Sequence, residues 1–70
     1  MKYCFHCGEA LSDEYAKLNN SVIDIEDLIN ILGIKISDNE VPYFCFKCKI
    51  LYLADFGRCS IRWIKVKDGR

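Results

Sequence analysis

Seventy residues make one domain at most, and a chain of that length buries only about 60% of the surface it exposes when unfolded. Such a core supplies roughly 3–5 kcal/mol, so a staple is expected: disulfides, a metal or a second subunit. The 51% hydrophobic content disfavours disorder. Ten basic and ten acidic residues cancel, which disfavours a chain that grips nucleic acid by neutralising phosphates. The only local basic excess is Arg58, Arg62, Lys65, Lys67 and Arg70.

Residues 1–9 hold a first Cys-x2-Cys turn, Cys4 and Cys7, followed by Gly8, which can take the positive φ that such a turn often needs. The opening stretch has no apolar run long enough for a signal peptide or a membrane span. Five cysteines is an odd count, and thiolates in a reducing compartment fit it better than a disulfide scaffold. Residues 10–21 are mixed and polar, ending in the loop signal Asn19-Asn20-Ser21.

Ile25, Leu28, Ile29 and Leu32 recur at helical spacing. With Asp24 as N-cap, Glu26 and Asp27 in the first turn and Gly33 as terminator, a short helix over 24–32 is expected. Ile34-Lys35-Ile36 reads as a brief strand or extended link, and 37–40 as a polar turn. Pro42 then requires extended backbone at Val41.

Placed on one helix over 46–66, Ile50, Leu53, Ala54, Gly57, Ile61 and Ile64 fall on one side. Tyr52, Phe56, Cys59, Trp63 and Val66 fall nearly opposite, with Asp55, Arg58, Arg62 and Lys65 as a polar ridge between them. The high β-propensity of 61–66 leaves a strand open there.

The strongest chemical signal is the second knuckle, Cys45 and Cys48, which with Cys4 and Cys7 offers four thiolates. Zn(II) takes four soft ligands in a closed tetrahedron, and two Cys-x2-Cys turns complete that shell with no vertex left for water or substrate. The expected site is therefore structural. Iron is the rival metal, since the Cys4-x2-Cys7-Gly8 opening is similar to that of rubredoxins. Against it stand Lys49 after the second pair, where rubredoxins have glycine, and the helical pattern that follows.

His6 reads as a solvent-facing turn residue and not a fifth ligand. Cys59 reads as a small buried hydrophobe, and with no second histidine in the chain a Cys–His catalytic pair is disfavoured. No enzyme, small-molecule substrate or membrane partner is expected. Phe5, Tyr43, Phe44 and Phe46 surround the knuckles and are expected to shield the sulfurs. A helix apolar on two faces cannot be covered by so small a domain. The face of Tyr52, Phe56, Cys59, Trp63 and Val66 is therefore the expected contact of a symmetric homodimer, while Ile50, Leu53, Ile61 and Ile64 pack the core.

The order of elements, and above all Val41-Pro42-Tyr43-Phe44-Cys45-Phe46-Lys47-Cys48, resembles the zinc-finger-associated domain of insect zinc-finger transcription factors. Asp38, Leu51, Phe56 and Cys59 are compatible with that pattern, whereas Phe5 stands where the family commonly has arginine. The resemblance implies a small α+β, treble-clef-like zinc domain with a long C-terminal helix. It further implies a homodimerisation role in a nuclear transcription regulator that meets DNA only indirectly, through other domains. A direct nucleic-acid-binding zinc module and a rubredoxin-like electron carrier are the competing expectations.

Overall fold

A computed structural model describes residues 2–67. The elements run β1 (Tyr15–Leu18), β2 (Ser21–Asp24), α1 (Ile25–Leu32), β3 (Glu40–Cys45), β4 (Ile50–Asp55) and β5 (Ser60–Lys65). The domain is α+β, as the sequence suggests.

The polar stretch before Ser21 is a hairpin. Asn19 and Asn20 both take positive φ, 53° and 66°, and turn β1 antiparallel onto β2. Two left-handed residues in succession are what a tight two-residue hairpin needs, and asparagine tolerates them better than most side chains.

The helix starts where its sequence signals place it. Asp24 is extended at the N-cap, although its side chain makes no capping hydrogen bond. Gly33 ends it in the left-handed region (φ 69°), and the amides of Gly33 and Ile34 close on Asn30 and Ile29. Its apolar face, Ile25, Leu28 and Ile29, is buried.

The C-terminal third contradicts the expected long helix over 46–66. It is a three-stranded antiparallel sheet in the order β3-β4-β5. Tyr43 pairs with Tyr52 and Tyr52 with Trp63 across it. The residues Ile-Leu-Tyr-Leu-Ala-Asp of β4 are all buried. A short continuous apolar run fits a fully buried strand as well as a helix, and periodicity alone cannot separate the two. The β-branched and aromatic content of 61–66, with Gly57 in the preceding turn, carried the strand signal. That turn is fastened by Asp55, whose Oδ1 accepts the Arg58 N–H at 3.1 Å.

The sheet is the middle of three layers, and this is why β4 is buried on both faces. On one face Phe44, Leu51 and Leu53 meet Ala16, Ile25, Leu28 and Ile29 from the β1–β2–α1 unit, joined by Val66. On the other, Cys45, Ile50 and Tyr52 meet Cys4 from the N-terminal knuckle. Ser12 straps the outer edge of β3, exchanging hydrogen bonds of 3.0 and 2.8 Å with Phe44. Arg62 on β5 binds Glu40 on β3 in a bidentate pair (2.8 and 3.0 Å) and donates to the Lys35 carbonyl at 2.6 Å. Glu40 is thereby held below the usual carboxylate range, mainly by the hydrogen bond from Arg62.

Leu28 has no exposed surface and anchors α1 to the sheet. Leu28→Ala is expected to destabilise the metal-loaded domain by about 3 kcal/mol, transfer and cavity costs together. A denaturant titration of both proteins in metal-saturated buffer measures the difference.

Candidate metal centre

The two knuckles are built alike. In the first, the Gly8 amide donates to the Cys4 carbonyl at 2.9 Å, and Gly8 has φ 77°. In the second, the Lys49 amide donates to the Cys45 carbonyl at 2.8 Å, and Lys49 has φ 57°. Within each turn a backbone N–H also points at the leading sulfur: His6 to Cys4 at 3.4 Å and Cys48 to Cys45 at 3.3 Å. The left-handed residue after the second cysteine closes the loop, and the closed loop aims both sulfurs to one side. Gly8 meets that demand without strain, whereas Lys49 carries a Cβ there.

The sulfurs of Cys4, Cys7, Cys45 and Cys48 all lie within 4.8 Å of one another and could hold a metal ion. Those of Cys4 and Cys48 are 3.9 Å apart, and those of Cys7 and Cys45 3.5 Å. A tetrahedron with metal–sulfur bonds of about 2.3 Å has sulfur–sulfur edges of about 3.8 Å, so the cluster has the size zinc requires. Cys4 and Cys45 are buried, and Cys7 and Cys48 are partly exposed. The four residues expected from spacing are the four the fold brings together.

Ionisation is uneven. Burial opposes charge on Cys4. The Tyr52 hydroxyl and the amides of His6 and Cys7 outweigh it, and the thiol is lowered from 9.0 to about 6. Burial raises Cys45. Cys48 is pushed up to about 12, first by its hydrogen bond to Cys7 and then by burial. Negative sulfurs this close repel, so the cluster carries several thiolates together only with a cation among them.

Tyr52 holds the inner wall. Its hydroxyl lies 3.1 Å from the Cys4 sulfur and 3.0 Å from His6 Nδ1. Burial first, then the Cys4 hydrogen bond, raises its phenol to about 12, so it stays a neutral donor to the thiolate. Outer hydrogen bonds of this kind orient a ligand and tune its basicity. Sequence reasoning missed the role by assigning Tyr52 to an external face. The available signal was the single histidine inside a knuckle, four residues past whose partner knuckle stands a lone tyrosine.

The other expectations divide. Val66 is buried in the core, so neither it nor Tyr52 (0% exposed) belongs to an outward stripe. Phe56 and Trp63 are 56% and 51% exposed, and Cys59 is exposed, not buried as its apolar spacing suggested. On the core side, Ile50 and Leu53 are buried and Ile64 is partly buried, but Ile61 is 41% exposed. Phe5 is largely exposed, its ring edge-on to Tyr52 at 5.7 Å; Phe46 lies edge-on to Phe44 at 5.3 Å; Tyr43 packs against the cluster of Cys4 and Cys45. Phe44 is buried on the opposite face of the sheet. His6 is exposed and lies outside the four-sulfur cluster, but it is more than a solvent-facing turn residue: its ring packs edge-on against Trp63 at 5.1 Å. No protein family, curated protein or solved structure matches the chain.

Tyr52→Phe keeps the volume and removes the hydroxyl at Cys4. It is expected to leave the fold intact and weaken metal affinity about tenfold in a competitive indicator titration. Acid is also expected to expel the metal. Because the folded Cys4 value lies below its ordinary 9.0, the stabilisation from its thiolate is complete above about 9 and lost as pH falls through about 6. Protons compete for the other sulfurs as well, so affinity should fall steeply from pH 8 to pH 5 in the same titration.

Proposed function

We propose that the chain is a zinc-stabilised, non-enzymatic protein-interaction module that associates with a second copy of itself. The observation that carries the metal half is the cluster of four sulfurs at tetrahedral spacing, contributed by two knuckles far apart in sequence. Zinc binding to such a set is worth roughly 10–16 kcal/mol near neutral pH, well above what a core of this size supplies. Four thiolates around one ion leave no open position, so the centre holds the fold and performs no chemistry on a substrate.

The interaction half rests on a patch beside the centre. Val41, Ala54, Ile61 and Trp63 share one face of the sheet by register. Trp63 and Ile61, with Phe5, whose ring lies 5.7 Å from that of Tyr52, and Phe56, which follows β4, leave large apolar side chains in water. Exposed aromatic surface of this kind marks interfaces, and a symmetric pair covers it with the fewest assumptions. The setting in a nuclear transcription regulator follows from the resemblance of the Val41–Cys48 stretch to the zinc-finger-associated domain.

One observation favours a second reading, direct binding of nucleic acid. The balanced charge is not evenly spread: Glu9, Asp13, Glu14, Asp24, Glu26 and Asp27 lie toward one end of the sequence, and Lys47, Arg58, Lys65 and Lys67 toward the other. Basic residues on either side of the exposed Trp63 in sequence suit a single strand, whose bases stack on aromatic rings. Binding that weakens steeply with salt would support this reading against self-association.

Elemental analysis should find one zinc per chain in colourless protein. A red protein with stoichiometric iron would replace zinc by an electron-transfer centre, a result the absence of the C-terminal helix no longer argues against. Cys45→Ser should abolish cooperative unfolding. Trp63→Glu should give monomers in sedimentation that retain their zinc, and an unchanged dimer would remove the aromatic face from the interface.

A further inference from the structure

The two edges of the sheet are treated differently. The outer edge of β3 is covered by Ser12, whereas no strand among the described residues lies along the outer edge of β5. The ladder fixes which groups that edge offers. The Val66 amide donates to the Lys49 carbonyl at 2.8 Å, and the β4–β5 register continues it: Ile64 opposite Leu51 and Arg62 opposite Leu53. In an antiparallel ladder alternate residues bond inward, so the amides and carbonyls of Ile61, Trp63 and Lys65 point outward. The edge carries no proline, and its side chains from Ser60 to Trp63 are exposed. Of the usual protections of an edge strand it carries charge, at Arg62 and Lys65.

We propose that β5 pairs antiparallel with β5 of a second copy, on a two-fold axis through Trp63, forming one six-stranded sheet. This rests on the self-association reading above and specifies its geometry. Self-pairing through the outward groups of 61, 63 and 65 allows few registers. An axis at Arg62 sets two guanidinium groups opposite each other, and one at Lys65 does the same with two ammonium groups. The axis at Trp63 gives the longest overlap free of such pairs. Trp63 meets its own copy, Ile61 of each chain faces Lys65 of the other, and Arg62 faces Ile64. The two Lys65 residues then stand about 14 Å apart at 3.4 Å per residue, beyond the Debye length of about 8–10 Å at ordinary salt. Arg62 is already neutralised by Glu40 on the same subunit. About six backbone hydrogen bonds close the seam, and the exposed Ile61 and Trp63 side chains form a continuous apolar strip across it.

Hydrogen exchange on the zinc-loaded chain tests this directly. The amides of Arg62 and Ile64, bonded to β4, should be protected at every concentration. Those of Ile61, Trp63 and Lys65 should gain at least tenfold protection only as the chain dimerises. Lys65→Pro removes an outward donor and leaves the β4 ladder whole; it should weaken the dimer at least tenfold relative to Lys65→Ala, both variants keeping their zinc. Equal dimerisation of these two variants, with no alternating protection, overturns edge pairing while leaving contact through the aromatic face standing. A wild-type chain that stays monomeric at high concentration overturns self-association itself.

Discussion

Everything in this domain depends on bringing residues 4–7 against residues 45–48. The sheet hydrogen bonds hold β3, β4 and β5 to one another, but the N-terminal knuckle is joined to them by little else. Its links are the Ser12 strap, the contacts of Cys4 with the inner face, the hydrogen bonds of Cys4 and His6 with the Tyr52 hydroxyl, and the rings of Phe5 and His6 against Tyr52 and Trp63. Four sulfurs in one cluster turn that light attachment into a closed ring across about forty residues of chain. The energetic case is one of proportion. A zinc ion held by the four sulfurs would contribute roughly 10–16 kcal/mol, beside a core worth roughly 3–5 kcal/mol. Small two-layer domains normally expose one face of the sheet, and the knuckle is what covers the second face here.

The same constraint explains the composition of β4. A strand covered on both faces cannot show the alternation by which half-buried strands announce themselves. Ile50, Leu51, Tyr52, Leu53 and Ala54 therefore read as a featureless apolar run. Joined to 60–66, that run falls into two stripes on a helical projection, and the projection cannot tell them from the two faces of a hairpin. Local signals were more reliable where a residue type has one physical use. Gly33 ended α1, Gly8 closed the first knuckle, and the cysteine spacing named all four members of the sulfur cluster. The Asn19-Asn20 pair announced a turn, but the short strands on either side, only four residues each, carried too little pattern to be read.

The surroundings of the centre were less legible than its ligands, for a related reason. Which aromatic residue shields a sulfur depends on sheet register, and register is a long-range property. Phe44 is adjacent to Cys45 in sequence, yet strand alternation sends it to the opposite core. Tyr52 stands across from Tyr43 in the ladder, and that cross-strand position delivers its hydroxyl to Cys4 and His6. Cys59 shows the converse. Its helical spacing placed it in an apolar stripe, but it occupies the last position of the β4–β5 turn, where it takes φ 52° and faces solvent.

Metal and sheet edges are coupled through the chain that joins them. Ser12 reaches Phe44 because it follows the first knuckle by only a few residues, and that knuckle is held in place by the cluster. An ion bound by the four sulfurs would fix the strap that covers β3 at Phe44, and among the described residues no strand lies along the outer edge of β5. The pairing proposed for β5 is closed, since a two-fold axis consumes both copies of the same edge. Release of the knuckle would free Ser12 from Phe44 and remove the layer that covers the second face of the sheet. Under the edge pairing proposed above, the cluster that seats the N-terminal knuckle also seats Ser12, so the contact that covers β3 at Phe44 and the fold itself depend on the same four sulfurs.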